Sequence, residues 1–314
     1  MKQVRMHEFG APEVLSLVEQ ESLAPHPNQV VIKVACAALN PVDYKTRNGV
    51  GFVAEKVRTR LPWTPGYDLS GTIIAKGSHV LGWEVGQRVC GMVNFPLPAG
   101  AYSEEVIVSP DVIAAIPEGV SDQIAAALPL AGLTAWQGLK EVGHICSGQN
   151  VLVLAAAGGV GHIATQLAMN CGAQVWGTAS PENQAFLENL GVRWVDYHRV
   201  DSMNNLPEMD LVFDAVGGST GEMALTHLRE GGVLVTLPTI SAESIARAAQ
   251  QQAKTALGFT VYPDPKQLQY LLQHVADKQL KIEISEVFQL ENIVDAHHLL
   301  QNGHVRGKII IQFE

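Results

Sequence analysis

Between Val151 and Ala168 the chain reads VLVLAAAGGVGHIATQLA: an apolar run that ends in glycines and passes into a helical pattern. A strand that turns at once into a helix brings its backbone close to a pyrophosphate only where glycine removes the side chain. The N–H groups of the helix's first turn, backed by the positive end of the helix dipole, then hold the anion. Gly158, Gly159, Val160 and Gly161 occupy that turn. Against G-x-G-x-x-G, Ala156 stands at the first glycine, while Gly158 and Gly161 fill the other two. A tight structural turn would look similar. The strand before it, the helix after it and the further strand–helix alternation favour dinucleotide binding.

The next strand selects the cofactor. Sites for NAD place Asp or Glu about 20 residues beyond the glycines, on the ribose 2′-hydroxyl. Here Val175–Ser180 reads VWGTAS, and Ser180 lies 19 residues after Gly161 with no carboxylate at the strand end. Without that acid nothing repels a 2′-phosphate, and Ser180 and Asn183 can hydrogen-bond it, so NADPH is expected over NADH. Ser180 also reads as the N-cap of the following helix. No Arg or Lys lies between residues 172 and 192, so Tyr197 or Arg199 must supply any further contact. Asp214–Gly218 (DAVGG) follows a later strand, where strand ends face ligand, which makes Ala215 and Val216 further cofactor candidates.

These residues need elements to hold them. Up to about residue 120 the chain shows short β-like runs: Val30–Ala35, Leu69–Ala75, Gln87–Met92, Ser103–Val108 and Val112–Ile116. Turn residues separate them, as in an irregular, partly closed barrel. An Ala/Leu-rich helical segment opens at Ser121-Asp122, and strands then alternate with helices as far as Leu237. That alternation means βαβ units and a parallel sheet. The tail holds helical patterns at Pro265–Lys278 and Leu290–Gln301 and a last strand at Gly307–Gln312. The expected fold is therefore α/β, with a parallel-sheet domain at 122–262 inserted into a β body made of 1–121 and 263–314.

Composition excludes other classes. The 314 residues carry 21 Lys+Arg against 31 Asp+Glu, a net charge of −10, with no basic run to attract nucleic acid. No apolar stretch approaches the ~18 residues of a membrane span. The four cysteines show no CxxC pairing, which argues against a disulfide framework or a structural zinc lobe. The opening residues show no apolar secretory core, and a cytoplasmic protein is expected.

The motifs NPVDYKTRNG (40–49), LPWTPGYDLSG (61–71), DQIAAALPLAGLTAWQGL (122–139), AAAGGVG (155–161), DAVGG (214–218) and GKIII (307–311) run in order along nearly the whole chain. Together they resemble the medium-chain dehydrogenase/reductase superfamily, in its zinc-free group of quinone oxidoreductases and enone reductases. The resemblance implies a Rossmann domain inserted into a co-chaperonin-like (GroES-like) catalytic β-barrel, with the active site between the two. It also implies NADPH-dependent reduction of a small quinone or enone, in a homodimer. Zinc-binding relatives carry a Cys ligand after the early strand and a Gly-His-Glu motif. Here 40–47 holds neither Cys nor His, and Pro65–Asp68 replaces the His-Glu, so no metal ligand set is expected. Cys36 reads as a core residue, and His297-His298 read as surface residues on a late helix.

Reduction without zinc requires hydrogen bonds to the carbonyl and a proton. The polar loop Asn40–Gly49 is the expected source. Tyr44 offers a phenol and Lys45 an ammonium, with Lys45 preferred because a cation better stabilises an enolate. Asn40 and Asp43 position substrate or nicotinamide, or else only build a turn. Thr134 resembles a family position near the nicotinamide and phosphates. Lys308 either reaches the site or faces solvent from the last strand. Two other readings stay open: an enoyl-thioester reductase, for which no basic patch is visible, and a non-catalytic NADPH-binding protein on the same fold.

Overall fold

The computed structural model describes residues 1–314. In chain order, the first stretch forms β1 (Lys2–Met6), β2 (Leu15–Glu19), β3 (Val30–Ala38), α1 (Pro41–Arg47), α2 (Phe52–Val57), β4 (Asp68–Lys76), β5 (Arg88–Met92), β6 (Glu105–Val108), β7 (Ile113–Ala115), α3 (Asp122–Ala127) and α4 (Pro129–Gln137). The middle stretch adds β8 (Asn150–Leu154), α5 (Gly161–Asn170), β9 (Gln174–Ala179), α6 (Gln184–Asn189), β10 (Arg193–Asp196), α7 (Val200–Asn204), β11 (Met209–Asp214), α8 (Gly218–Ala224), β12 (Leu228–Thr236), α9 (Thr239–Gln251) and β13 (Thr255–Gly258). The tail completes it with α10 (Pro265–Ala276), β14 (Ile284–Gln289), α11 (Ile293–Asn302) and β15 (Lys308–Gln312).

Contacts divide the chain into two compact units, one of residues 1–133 with 262–314, the other of 134–261. The spacing of motifs puts the junction at 122. The difference has a local cause: α3 packs on β3, β4 and β15, and Ser70 donates its hydroxyl to the Asp122 carbonyl at 2.7 Å. Ala125, Ala126 and Ala127 are completely buried there, which explains the alanine run.

In the first unit seven strands form one sheet, in the order β14-β15-β3-β4-β5-β7 with β6 also on β3. β3 is shared along its length: Val30–Lys33 pair with β6, and Cys36–Ala38 pair with β15. Register shifts after Val31 and after Val34 bend the strand enough to serve both partners. Cys36 is buried on this strand, as a small core residue should be.

The second unit is a six-stranded, wholly parallel sheet in the order β10-β9-β8-β11-β12-β13. The winding reverses between β8 and β11, and such sheets bind ligands outside the carboxyl ends of the strands at that reversal. The glycine turn and Asp214–Gly218 both lie at those ends. Leu152, Leu154, Val212 and Leu234 of the strands bury against Ala224, Leu225, Ile245 and Ala249 from α8, its trailing 3-10 turn and α9. Of the thirteen residues of α9 only Ile245 and Ala249, one turn apart, are buried. The four-residue β13 forms one edge of the sheet, with Leu257 41% exposed.

Candidate active site

The glycine turn has the geometry that its residue types demand. β8 ends at Leu154, and α5 starts at Gly161 and runs for ten residues. Within the turn Ala155 takes φ +53°, so the left-handed position falls on Ala155 rather than at the Ala156 of the motif. A side chain at Gly161 would put Cβ 2.1 Å from the Ala155 carbonyl oxygen, so only glycine lets α5 start this close to the strand. The turn is tied to β9: Ala155 N–H donates to Thr178 Oγ1 at 3.1 Å and Ala156 N–H to the Thr178 carbonyl at 2.9 Å. Gly177 belongs to the same arrangement, since a Cβ there would lie 2.6 Å from the Ala156 side chain. Thr178 and Gly177 escaped the sequence reading because their role is to shape a neighbouring strand's turn. Ile163, Ala164, Leu167 and Ala168 of α5 are buried.

The strand ends beside the turn gather the other cofactor candidates. Ser180 has extended N-cap geometry (φ −67°, ψ 159°), yet its side chain makes no capping bond; its Oγ accepts from Asn183 Nδ2 at 3.2 Å. β10 runs beside β9 with Asp196 opposite Ala179, so Tyr197 follows at the level of Ser180. Tyr197 is 43% exposed and stacks on His198 with centroids 4.1 Å apart; Arg199 is exposed after it. Asp196, which the sequence reading passed over, is buried and accepts from its own loop at His198 N. Asp214 likewise serves the backbone: Oδ1 accepts from Val216 N at 2.9 Å and Gly217 N at 2.8 Å, and Oδ2 from Thr236 Oγ1 at 2.8 Å. It fixes the turn that presents Ala215 and the 46% exposed Val216. Thr134, on α4, is buried, and its Oγ1 has no hydrogen-bond partner. An unpaired buried hydroxyl costs stability unless a ligand or water satisfies it.

The 40–49 segment is a helix rather than a loop. Asn40 caps it, Pro41 starts it, and Asp43 Oδ2 accepts the Asn40 N–H at 2.8 Å. The turn-building reading of Asn40 and Asp43 is therefore correct as structure, and both are sealed from solvent. Asn40 Nδ2 donates to Asp68 Oδ2 at 2.8 Å, and Asp68 Oδ1 accepts from Leu130 N at 2.8 Å, at the start of α4. Lys308 is not on the surface: it is 3% exposed, donates to the Leu39 carbonyl at 2.9 Å and to Asn40 Oδ1, and lies 3.6 Å from Asp68. It thus joins this network in the first unit. Burial pushes the carboxyl of Asp43 up to about 7 and that of Asp68 to about 6, and pushes Lys308 down.

Tyr44 and Lys45 lie on the other side of α1, half-buried. Burial raises the Tyr44 phenol and lowers the Lys45 ammonium. The expectation for His297-His298 holds only for the second residue: His297 is fully buried, whereas His298 meets Glu13 at 2.7 Å on the surface. No three His, Cys, Asp or Glu side chains come together where they could hold a metal ion, and no helix is long and apolar enough to cross a membrane.

Comparison with known proteins agrees with this architecture. Residues 26–118 match the alcohol dehydrogenase GroES-like domain, and residues 190–311 match the family described as zinc-binding dehydrogenase. A 2-methylene-furan-3-one reductase of Solanum lycopersicum is 33% identical over 99% of this chain and 79% of its own. An NADPH-dependent alkenal/one oxidoreductase, chloroplastic, of Arabidopsis thaliana is 31% identical over 97% of this chain and 77% of its own. The structure of the quinone oxidoreductase from Coxiella burnetii superposes with a TM-score of 0.97 at 43% identity, covering 100% of this chain and 99% of that one.

Proposed function

From the premise that this chain belongs to the medium-chain dehydrogenase/reductase superfamily, in its zinc-free group, we propose that it is an NADPH-dependent reductase of quinones or α,β-unsaturated carbonyl compounds that works without zinc. The observation that carries the reading is the turn from β8 to α5 beside a strand end, Ala179-Ser180, that bears no carboxylate. The relatives' activities, alkenal/one and furanone reduction and quinone oxidoreduction, support the substrate class. The lack of any convergent metal-ligand set supports the zinc-independent chemistry.

The residues present fit a dinucleotide. The free N–H groups of Gly159, Val160 and Gly161 at the start of α5 would hold the pyrophosphate. Ser180, Asn183 and Tyr197 would flank the 2′-phosphate, with Arg199 adding charge. Thr134 Oγ1 would gain the partner it lacks, and Ala215 and Val216 would line the strand end held by Asp214. When bound, the reduced nicotinamide supplies a hydride.

The chain's own task is then to meet negative charge on a carbonyl or quinol oxygen. Lys45 Nζ is the donor this reading assigns. Burial lowers the pKa of its ammonium and so makes it the readier acid, while burial raises the Tyr44 phenol and makes it the poorer one. Asn40, Asp43, Asp68 and Lys308 hold α1 in place beneath it. An NADPH-oxidation screen over simple quinones, enals, enones and enoyl thioesters tests the proposal. Turnover confined to the first three classes supports it; turnover confined to enoyl thioesters, or none, refutes it.

A further inference from the structure

Helix α5 carries three polar side chains inside the protein: His162 and Thr165 are completely buried and Gln166 nearly so. Each bonds back to a carbonyl one turn before it. Nδ1 of the His162 imidazole lies 2.8 Å from the Gly158 carbonyl oxygen, which also accepts the His162 backbone N–H at 3.1 Å. Thr165 Oγ1 and Gln166 Nε2 donate in turn to the His162 carbonyl at 3.0 and 2.8 Å. A carbonyl only accepts, so Nδ1 carries a hydrogen. The ring lies beside Phe186 of α6, with centroids 6.4 Å apart.

The carbonyl that His162 holds belongs to the glycine turn. Gly158 gives its N–H to the Ala155 carbonyl at 3.0 Å and its C=O to His162, so both its backbone groups are engaged within the turn. The Gly158–Gly159 peptide is trans, and a trans peptide points its C=O and N–H in opposite directions. With the carbonyl drawn along α5, the Gly159 N–H faces out past the N-terminal end of the helix, where an anion binds. Glycine on both sides leaves no side chain to resist rotation of that peptide, and a rotated peptide would aim a carbonyl oxygen at the phosphates. We propose that His162 is a positioning residue for the dinucleotide: its side chain latches the Gly158–Gly159 peptide with the Gly159 N–H toward the pyrophosphate. The inference rests on the NADPH reading and adds to it a residue that acts through the turn rather than on the ligand. His274 makes the same contact with the Tyr270 carbonyl at 3.0 Å, but at the surface and with a carbonyl in the middle of α10.

The test is calorimetric titration of the unmodified protein, His162→Leu and His162→Asn with NADPH and with adenosine 2′-monophosphate, which lacks the pyrophosphate. Asparagine places its Nδ2 donor where the imidazole carries Nδ1, so it keeps the latch. His162→Leu should raise the Kd for NADPH about tenfold, the weight of one hydrogen bond, and leave that for adenosine 2′-monophosphate within about twofold. His162→Asn should bind both ligands within about twofold of the unmodified protein. A merely structural role would weaken both ligands alike. That result, or an unchanged Kd for NADPH in His162→Leu, overturns the inference alone. Failure of the unmodified protein to bind NADPH overturns it together with the cofactor reading. If His162→Leu does not fold, nitrogen NMR of the imidazole in the unmodified protein decides: a hydrogen on Nδ1 supports the latch, and a bare Nδ1 overturns it.

Discussion

The hydroxyl of Tyr102 donates to Asp43 Oδ2 at 2.8 Å, the same oxygen that accepts the Asn40 N–H at the start of α1. One buried carboxylate oxygen therefore serves two donors, while Oδ1 has none. Asp43 and Asp68 share a single lysine, Lys308, so burial without full compensation favours a proton on Asp43.

That arrangement predicts a pH effect of definite sign. The pKa of Asp43 rises on folding to about 7, so folding takes up a proton here. The resulting stability is whole below the unfolded carboxylate value and is lost as pH rises through about 7. Asp43→Asn removes the titration but keeps an oxygen for Tyr102 and Asn40. Between about pH 5 and about pH 8, variant stability relative to wild type should improve by ~1 kcal/mol or more. Denaturant unfolding measures it, and parallel pH profiles for the two proteins would rule out a neutral Asp43.

Lys45→Met should lower kcat by roughly 10²–10³ with little change in NADPH affinity, the usual cost of losing one donor to an oxyanion. Tyr44→Phe should cost less. Steady-state kinetics with an enone separates the two; a crippled Tyr44→Phe beside a healthy Lys45→Met reverses the assignment.

Ser180→Asp should move the preference from NADPH toward NADH, because a carboxylate at the end of β9 repels a 2′-phosphate and suits a 2′-hydroxyl. Dissociation constants for both cofactors, before and after the change, measure this. Equal values in the unmodified protein would contradict the role given to the strand end.

The short edge strand β13 carries the exposed Leu257, and an apolar sheet edge invites pairing with a second copy. A homodimer is the expected state. Light scattering at micromolar concentration checks it, and a monomer mass would refute it.

The architecture was legible where the chain repeats a local rule. The glycine turn, the parallel strands and the buried face of α5 all follow from period and glycine placement. The capping pattern Asn40-Pro41-Asp43 was also readable, although it builds a helix and not a loop. What escaped depends on partners distant in sequence. Lys308 is buried because Asp68 and Asn40, more than two hundred residues away, receive it. His297 is buried because α11 packs on α1. Neither lysine nor histidine on an amphipathic element announces such a partner, and by default each reads as surface. Helix α9 was legible too, since Ile245 and Ala249 stand one turn apart on an otherwise polar segment.

The most direct test is NADPH oxidation with a simple quinone and a simple enone after exhaustive chelation, with zinc content measured on the same sample. The account predicts turnover that survives chelation, depends on NADPH more than NADH, and occurs in protein holding far less than one zinc per chain. Activity that disappears with the metal and returns with added zinc, or no NADPH oxidation with either acceptor, would contradict it.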